Sequence, residues 1–398
     1  MLTFDEALAK VLHDVPRLSM ESTALGDALG RVLAESVRTE FPLPPEDYSA
    51  MDGYALDTGS LTGEPPWDLP VRGESRTGYV APQLEPGSVV RIFTGAQIPK
   101  GANAVVMQED VERDDERRRV RLSVRPGEGD HVRRAGEVLA KGAIVLEAGT
   151  RLGAYQLGLL AAADRARVDV ARRPRVTIIS TGDELRAPGS PRRAATVPES
   201  NSVAIAALAT SAGAIVEVRE FSKDDAEETR RKVEAALGPS DVLVTIGGAS
   251  VGDYDVVRPA LEAAGVRLDF YKVAMKPGKP LTLGRRDGTI VLGLPGNPVS
   301  AQVTFALFGL PLLRRLQGDR RGLPVARRLR LGVPIRQKTG RLGFYPATVT
   351  DEVATAFSGQ SSGSTTSLAW ADALVVVPAD CDGYAAGELV SVLFLSDL

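Results

Sequence analysis

The sequence predicts a multidomain α/β protein built around a three-layer α/β/α domain with a mainly parallel sheet. Its 398 residues exceed the roughly 150 residues of one typical domain. From residue 175 onward, strand-like and helix-like segments alternate, which is typical of parallel sheets covered by helices. Short β-like runs broken by glycine, proline and charged residues flank this region. The predicted domains are an α-rich N-terminal linking domain at 1–45 with 134–173, a β-rich domain at 46–133 inserted in it, the α/β domain at 174–320 and a β-barrel-like domain at 321–398.

The N-terminal segments predict helices. Thr3 and Glu6 have the spacing of a capping box at the start of a helix from about Phe4 to Asp14. A second apolar pattern, ALGDALGRVLAESV at residues 24–37, extends the α-rich character up to a proline cluster. The strand-like AIVLEAGT and the helical GAYQLGLLAAAD are each too small to bury a core, so we expect them to complete this domain.

Two further regions predict β-structure. In the inserted domain the expected strands are GYALDT, SVVRIFTG, AVVMQEDV and RVRLSV. In the C-terminal domain they are RLRLGVPI, FYPATV, ALVVVPAD and LVSVLFL. The stretch GQSSGSTTS at residues 359–367 has the composition of a flexible loop.

The alternating α/β region indicates where a ligand would bind. Its expected strands are VTIIST, IVEVREF, VLVTIG, RLDFYKV and TIVLGL, and the long helix NPVSAQVTFALFGLPLLRRL follows the last of them. Open α/β sheets bind ligands outside the carboxyl ends of their strands. We therefore expect the motifs that follow these strands to meet at one edge of the sheet.

Composition excludes several classes of function. The 48 Lys and Arg nearly balance the 51 Asp and Glu, which argues against a general nucleic-acid surface and favours a small-molecule substrate. Cys381 is the single cysteine, so no disulfide framework or thiolate zinc site is expected. His13 and His131 are expected to be structural or solvated, which leaves proton and metal chemistry to Asp, Glu and Lys. The absence of an apolar run of about 18 residues and of a basic leader predicts a cytoplasmic protein without a membrane span.

Acidic and glycine-rich turns follow three of the expected strands. The first turn, STGDELRAPG, contains Glu184, although this sequence is also that of an ordinary helix-entry turn. The second junction contains Asp224. The third junction is a glycine loop of the kind that binds phosphate through backbone N–H groups, and it ends in carboxylates; its candidate residues are Gly247, Gly248, Ser250, Gly252 and Asp255.

Cationic and anion-binding residues follow the remaining strands. Lys272, Lys276 and Lys279 lie in YKVAMKPGKPL. The last junction, GLPGNPVSA, predicts an N-cap and offers the candidate contacts Pro295, Gly296, Asn297 and Ser300. Two anion sites beside carboxylates suggest a substrate with two phosphate-bearing ends and a bridging Mg²⁺. Because no P-loop or dinucleotide fingerprint occurs, the residues alone predict a Mg²⁺-dependent enzyme acting on some other phosphorylated small molecule.

At this level of detail the chain resembles a known family, the molybdopterin molybdenumtransferases. The motifs that carry the resemblance, in this order along the chain, are SAMDGYA, RIFTGAQIPKGANAVVMQED, STGDEL, GGASVGDYD, KPGKP and GLPGNPVSA. Each motif alone is weak, but six in order over about 250 residues leave little room for coincidence. The segment RLGFYPA differs from the family pattern, because Gly343 and Pro346 stand where members commonly have an acidic and a basic residue.

The resemblance implies an α/β domain of the molybdopterin-binding type, and an enzyme that inserts molybdenum from molybdate into adenylated molybdopterin with Mg²⁺ and releases AMP. It also implies a homodimer whose active site is shared between subunits, and contacts with other proteins of molybdenum cofactor biosynthesis. The catalytic residues that it implies are Asp52, Thr94, Glu184, Asp224, Asp255, Lys272 and Lys276, with Glu184, Asp224 and Asp255 as metal ligands. The implied substrate-binding residues are Gly247, Gly248, Ser250, Gly252, Lys279, Pro295, Gly296, Asn297, Ser300, Arg341 and Ser362.

Two alternatives compete with this interpretation. A molybdopterin adenylyltransferase resembles the α/β domain alone, but it needs only that domain, whereas this chain also carries MDGYA and FTGA. The second alternative is a non-catalytic scaffold on the same fold, as in the related domain of gephyrin. Such a scaffold does not need to keep clusters of like-charged side chains at one edge of the sheet.

Overall fold

The computed structural model describes residues 1–218, 221–248, 256–357 and 365–398. The chain forms two compact units. The first unit contains residues 1–35, 148–153 and 167–398, and the second contains residues 36–147 and 154–166. None of the helices in the described ranges combines the length and the apolar character needed to cross a bilayer.

The first helix, α1 (Phe4–Leu12), confirms the predicted capping box. Glu6 N donates to Thr3 Oγ1 at 3.3 Å, and Thr3 N donates to Glu6 Oε2 at 2.8 Å. The buried face of α1 packs into the core of the α/β domain, where the Phe4 ring lies 5.1 Å from that of Phe308 and 5.4 Å from that of Phe344. The cap therefore fixes the start of a helix that is stabilised chiefly by its apolar stripe.

The helical expectation for residues 24–37 is wrong. This segment follows strand β1 (Met20–Ala24), forms a single 3₁₀ turn at Leu25–Asp27 and leads to strand β2 (Val37–Arg38). Gly30 has a φ of +73°, a conformation that ends helical structure, and two glycines lower the helix propensity of the segment. After Gly30 the backbone pairs with a distant segment of the chain, since Leu33 N donates to Thr150 O at 3.0 Å.

The second unit confirms the predicted β-rich domain. Besides β2, its elements are β3 (Tyr48–Ser49), β4 (Gly53–Leu56), β5 (Trp67–Ser75), β6 (Val89–Ile92), β7 (Ala104–Met107), β8 (Val111–Asp114), β9 (Arg119–Leu122), β10 (Val132–Arg133), β11 (Ile144–Leu146), helix α2 (Ala154–Ala162) and 3₁₀ turns at Thr58–Ser60 and Gln108–Asp110. Its core is a six-stranded sheet in the order β7-β4-β6-β5-β9-β8. Strand β5, which contains Pro70 and several charged residues, is absent from the sequence prediction because its apolar alternation is weak.

The α/β domain follows strand β12 (Arg167–Ala171), which pairs with β1. Its first half contains β13 (Arg175–Ser180), β14 (Leu185–Arg186), β15 (Val197–Pro198), α3 (Asn201–Ser211), β16 (Ile215–Val218), α4 (Ala226–Leu237) and β17 (Val242–Ile246). Its second half contains α5 (Val257–Ala263), β18 (Arg267–Lys272), β19 (Met275–Lys276), β20 (Pro280–Arg286), β21 (Thr289–Leu294), α6 (Pro298–Thr304), a π-helical turn (Phe305–Gly309) and α7 (Leu310–Leu316).

Three layers are present, as predicted. The sheet order is β16-β13-β17-β21-β20-β18, and the first four of these strands run parallel. Alternate residues of the central strands enter two different cores. Val176, Ile178 and Val244 pack with α3, α6 and α7, whereas Ile179 and Leu243 pack with α4 and α5. This alternation is the two-residue period of a sheet that is covered on both faces.

Strand β20 is an addition to the predicted sheet. It runs antiparallel to β21, to which Asp287 and Gly288 connect it with φ values of +47° and +87°. Two positive φ values define the tight hairpin turn that favours Asp-Gly, so the dipeptide was the sequence signal for this strand.

The C-terminal region forms a closed β-barrel, as expected. The strands are β22 (Arg327–Leu331), β23 (Ile335–Arg336), β24 (Leu342–Thr350), β25 (Val353–Ala356), β26 (Ala373–Val377), β27 (Gly383–Tyr384) and β28 (Leu389–Phe394), with helix α8 (Thr365–Ala369) and a 3₁₀ turn at Leu395–Asp397. The barrel runs β24-β25-β22-β28-β26, and a further pairing between β24 and β26 closes it. The short strand β19 of the preceding region pairs in parallel with β24.

Candidate active site

A cavity of about 650 Å³ lies at the carboxyl ends of β13, β17 and β21, where the sequence predicted a ligand site. We call it the acidic cavity because Glu184, Glu199 and Asp224 line it. Its volume lies within the range of about 300–1,000 Å³ that is typical of small-molecule sites. Sequence-predicted residues in its walls are Glu184, Asp224, Gly247, Gly248, Pro295, Gly296 and Asn297.

Two glycines form a bare backbone wall in the acidic cavity. Gly247 has a φ of +90° and Gly248 a φ of +60°. A Cβ on Gly247 would lie 2.6 Å from Thr181 O, and one on Gly248 would lie 2.3 Å from Val257 Cγ2. Any side chain at either position would therefore clash and would also strain the backbone. A Cβ on Gly296 would lie 3.6 Å from Gly247 Cα, so the two predicted glycine turns adjoin each other.

The carboxylates of the cavity belong to two loops that are tied together. Asp183 N donates to Asp224 Oδ2 at 3.4 Å, and Asp224 N donates to Asp183 Oδ1 at 3.3 Å. Gly182 allows Glu184 to fold back, because a Cβ at residue 182 would lie 2.5 Å from Glu184 Oε2. Asp225 instead caps α4, where its Oδ1 accepts from Glu228 N at 2.7 Å. Asp224 thus lines the cavity, whereas the neighbouring Asp225 caps the helix.

Two further residues of the acidic cavity were missed from the sequence. Glu199 is 2% exposed, and its carboxylate accepts from Ser202 N at 2.8 Å and from Ser180 Oγ at 3.3 Å. Asn201 Nδ2 donates to Gly296 O at 2.8 Å. Both side chains hold the start of α3 against strand ends that line the cavity. The available signal was an acidic residue three positions before Ser202 at a helix start.

A second, smaller cavity of about 300 Å³ is lined by cationic side chains, and we call it the lysine cavity. Lys276, Lys279 and Arg341 line it, together with Ser300 and two aromatic residues, Phe344 and Tyr345. Its described walls contain no carboxylate, so the local charge favours an anion. Pro280 lines both cavities, which places the lysine cavity next to the acidic one.

Three predicted site residues lie outside both cavities. Lys272 lines neither of them, and its Nζ lies 5.1 Å from the centroid of the Tyr271 ring. In the second unit, Asp52 Oδ1 accepts from Thr94 N at 2.7 Å and from Thr94 Oγ1 at 2.8 Å. The hydrogen bond from the Thr94 backbone, followed by that from its hydroxyl, lowers the pKa of Asp52 below its ordinary value. The pair is therefore a preformed anionic group.

Four predicted site residues, Ser250, Gly252, Asp255 and Ser362, lie outside the described residues. Among the residues that the structure does describe, no group of three or more His, Cys, Asp or Glu side chains could hold a metal ion. Glu184 and Asp224 together offer two carboxylates in one cavity. Oxygen donors of this kind fit Mg²⁺, which usually needs only one or two carboxylates when substrate phosphates complete its shell.

Comparison with family descriptions accounts for nearly the whole chain. Residues 2–163 match the MoeA N-terminal region (domain I and II). Residues 177–315, which contain the acidic cavity, match a probable molybdopterin binding domain. Residues 328–395 match the MoeA C-terminal region (domain IV). The second and third regions coincide with the three-layer domain and the β-barrel, whereas the first contains residues of both compact units.

Relatives and a solved structure agree with these matches. The chain is 36% identical to the molybdopterin molybdenumtransferase of Nostoc sp., with 97% of this chain and 92% of that protein covered. It is 34% identical to the molybdopterin molybdenumtransferase of Bacillus subtilis, with 99% and 94% covered. The crystal structure of the molybdopterin biosynthesis MoeA protein from Pyrococcus horikoshii superposes with a TM-score of 0.87 at 29% identity, covering 99% of this chain and all of that one. The chain belongs to the molybdopterin molybdenumtransferase family.

Proposed function

We propose that this protein inserts molybdenum from molybdate into adenylated molybdopterin, releases AMP and so forms the molybdenum cofactor. The observation that carries the proposal is the pair of adjoining cavities, one acidic and glycine-lined and one cationic, in a chain of this family. The adenylyltransferase alternative is disfavoured, because N-terminal and C-terminal family regions accompany the central domain.

In this proposal the acidic cavity binds adenylated molybdopterin. The bare backbone of Gly247 and Gly248 allows close approach of a phosphate, and Gly296 and Asn297 extend the same wall. Glu184 and Asp224 lie beside that wall and orient the water that cleaves the phosphoanhydride. Asp255, which lies outside the described residues, is proposed as the third carboxylate of this set on the basis of the sequence motif.

Mg²⁺ is proposed as the cation that offsets the repulsion between carboxylates and phosphate in one cavity. Glu184 and Asp224 would hold it, since both are oxygen donors in the walls of the acidic cavity. When bound, the ion supplies Lewis-acid stabilisation of charge on the phosphoryl oxygens. The two carboxylates would hold the ion and orient the attacking water.

The lysine cavity is proposed as the site that docks molybdate. Molybdate is a tetrahedral dianion, and Lys276, Lys279 and Arg341 surround a space without carboxylates in its described walls. Ser300, which is 5% exposed, offers a hydroxyl in the same walls. Lys272 precedes this loop on the chain and is proposed to contribute long-range positive charge.

Asp52 and Thr94 are proposed to complete the active site from the second subunit of a homodimer, as the family resemblance implies. The support in this chain is their mutual hydrogen bonding, which keeps the Asp52 carboxylate ionised and oriented. Contact with other proteins of molybdenum cofactor biosynthesis is part of the same proposal.

An assay of AMP release tests the reaction. Purified protein is incubated with adenylated molybdopterin, molybdate and Mg²⁺, and AMP is separated and quantified. We expect AMP from the wild type and a loss of about a hundredfold or more in kcat for Asp224→Asn, because a group at the reacting phosphoryl centre is removed.

The matched control is Asp225→Asn, the neighbouring residue. Asparagine retains an N-cap oxygen at the start of α4, so this variant should keep near wild-type activity. Absence of AMP from the wild type would refute the reaction. Equal rates for Asp224→Asn and Asp225→Asn would refute the assigned role of Asp224.

A further inference from the structure

The lysine cavity contains an aromatic residue in contact with one of its cations. Strand β19 pairs in parallel with β24, and this register places Lys276 opposite Gly343. Tyr345 lies two residues further along β24, so its side chain projects from the same face as position 343. Lys276 Nζ lies 5.6 Å from the centroid of the Tyr345 ring, within the range of a cation–π contact.

The Tyr345 ring is fixed from its other end. Its hydroxyl donates to Gln337 Oε1 at 3.0 Å. Gln337 Nε2 in turn donates to Pro378 O at 2.8 Å and to Cys381 O at 2.9 Å, so the amide is anchored to the barrel backbone. The ring is 6% exposed and belongs to the barrel core. It is therefore a rigid surface, whereas Lys276 is an exposed and flexible side chain.

Position 343 shows how closely this arrangement is packed. A Cβ on Gly343 would lie 2.3 Å from Gln337 Oε1 and 2.5 Å from Tyr345 Cε2. The space beside Gly343 is thus already filled by the Tyr345 ring and its hydrogen-bond partner. Only glycine at this position allows the ring and the amide to stand next to strand β19.

An aromatic face is a suitable support for a cation that must bind an anion. Lys276, Lys279 and Arg341 share one small cavity, and their like charges repel each other. A carboxylate would hold Lys276 but would also compete with an incoming anion. The ring attracts the ammonium group through its quadrupole and leaves all of its N–H donors available.

We propose that Tyr345 is a positioning residue that holds the Lys276 ammonium group in the lysine cavity and thereby sets the affinity of this cavity for a tetrahedral oxyanion. The proposal rests on the proposed function for the identity of that anion, molybdate. Tyr345 acts through Lys276 and need not touch the anion itself.

A double-mutant cycle on molybdate binding tests this role. The probe is sodium molybdate, titrated calorimetrically into the full chain without the second substrate. We expect Tyr345→Leu to weaken binding about fivefold, or about 1 kcal/mol at 1.4 kcal/mol per tenfold change, which is the size of a partly exposed cation–π contact. In a Lys276→Ala background the same substitution should weaken binding less than twofold, because the contact is already lost.

Two substitutions of the Tyr345 ring distinguish an effect on the position of Lys276 from a loss of barrel stability. Tyr345→Phe loses the hydrogen bond to Gln337 but keeps the ring buried in the barrel core, so it should bind molybdate within twofold of the wild type. A variant with 3,4,5-trifluorophenylalanine at position 345 keeps the ring shape but weakens its quadrupole, and should lose affinity as Tyr345→Leu does. Tyr384→Leu, which removes a half-buried tyrosine that packs against the same barrel core but does not line the lysine cavity, should leave molybdate affinity unchanged.

The results of these experiments distinguish a failure of this proposal from a failure of the proposed reaction. Equal losses for Tyr345→Leu in the wild-type and Lys276→Ala backgrounds would overturn the proposal, and so would full affinity in the trifluorinated variant. A wild-type protein that does not bind molybdate would overturn it as well. Molybdate binding with the expected coupling but without AMP release would refute the reaction and leave the role of Tyr345 supported.

Discussion

Two single residues, Gly247 and Gly248, shape the acidic cavity because they lack a Cβ atom. Gly247 and Gly248 combine positive φ values with neighbours that leave no room for a side chain. Gly189 has a φ of +80° as well, but a Cβ there would meet nothing within 4 Å. Alanine substitutions at these three positions therefore distinguish the energetic cost of backbone strain from that of a steric clash.

We expect Gly248→Ala to lower the free energy of unfolding by about 2–4 kcal/mol, because the new methyl group both strains the backbone and overlaps Val257. Gly189→Ala should cost about 1 kcal/mol from strain alone. Urea-induced unfolding followed by circular dichroism measures both. Equal losses for the two variants would contradict the steric part of the explanation.

Asp52 and Thr94 give a prediction about ionisation at the residue scale. The donors of Thr94 lower the pKa of Asp52, so this carboxylate stays charged at lower pH than an ordinary aspartate. Thr94→Val removes the hydroxyl but keeps the backbone N–H, and it should shift the pKa of Asp52 partway back toward its ordinary value. Carboxyl carbon NMR titration measures the shift, and Thr94→Ser, which retains a hydroxyl, should show none. A pKa of Asp52 that does not change in Thr94→Val would show that this hydroxyl has no effect.

At the scale of the element, buried ion pairs connect segments that are distant in sequence. Arg151 Nε donates to Asp319 Oδ2 at 2.9 Å, and this joins the short segment 148–153 to the end of α7. The Asp319 side chain is 1% exposed, and Arg321 also donates to it. Burial raises the pKa of Asp319, but the hydrogen bonds from Arg321 and the charge of Arg151 outweigh this effect and lower it overall.

Asp319→Asn should therefore reduce the free energy of unfolding by about 3 kcal/mol at pH 7, because Arg151 would be left buried without its counter-charge. The folded pKa of Asp319 lies below its unfolded value near 3.8, so its stabilising effect is complete above that value and is lost as the pH falls through the folded pKa. The difference between wild type and variant should thus narrow below about pH 4 in urea unfolding. Asp287→Asn, which removes an 87% exposed carboxylate, should change stability by less than about 0.5 kcal/mol. A difference between wild type and Asp319→Asn that stays constant down to pH 2 would contradict the assignment.

Turn residues explain which strands the sequence could and could not predict. Strand β20 is reached through Asp287 and Gly288, and β25 through Asp351 and Glu352, all with positive φ. The first turn has the Asp-Gly signal of a tight hairpin, whereas the second has no such signal. The long C-terminal helix of the α/β domain was predicted, but its π-helical turn just before Pro311 was not. Proline lacks the N–H of a regular helix, and the wider turn accommodates this loss.

At the scale of the whole molecule, the sharing of the active site between subunits is a proposal that mixing can test. Asp52→Ala and Asp224→Ala should each inactivate the homodimer. When the two variants are co-expressed at equal levels, about a quarter of the sites should recover, because half of the dimers are mixed and each of these has one intact site. AMP release by the purified mixture measures the recovery.

Co-expression of Glu184→Ala with Asp224→Ala is the matched control. Both residues lie in the same cavity of the first unit, so no intact site can form and activity should stay absent. Light scattering at micromolar concentration supplies a separate check on the assembly. A monomer in solution, or no recovery in the first mixture, would refute a shared site.

The amino-acid sequence correctly predicted the three-layer domain, the barrel and most of the residues at the strand ends. It did so because the alternation of strands and helices is local, and because a parallel sheet brings the carboxyl ends of its strands to one edge. It could not predict that these residues divide between two cavities, with Ser300 beside the lysines and Lys272 outside both.

Which segments meet depends on contacts that appear only in the folded chain. The pairing of β19 with β24 places Lys276 against Tyr345, and the start of α3 places Glu199 and Asn201 in the walls of the acidic cavity. At residues 24–37 backbone pairing with residue 150 adds to the low helix propensity of Gly26 and Gly30, and no α-helix forms. Such contacts join residues far apart along the chain, and their energies depend on packing and register that no local pattern encodes.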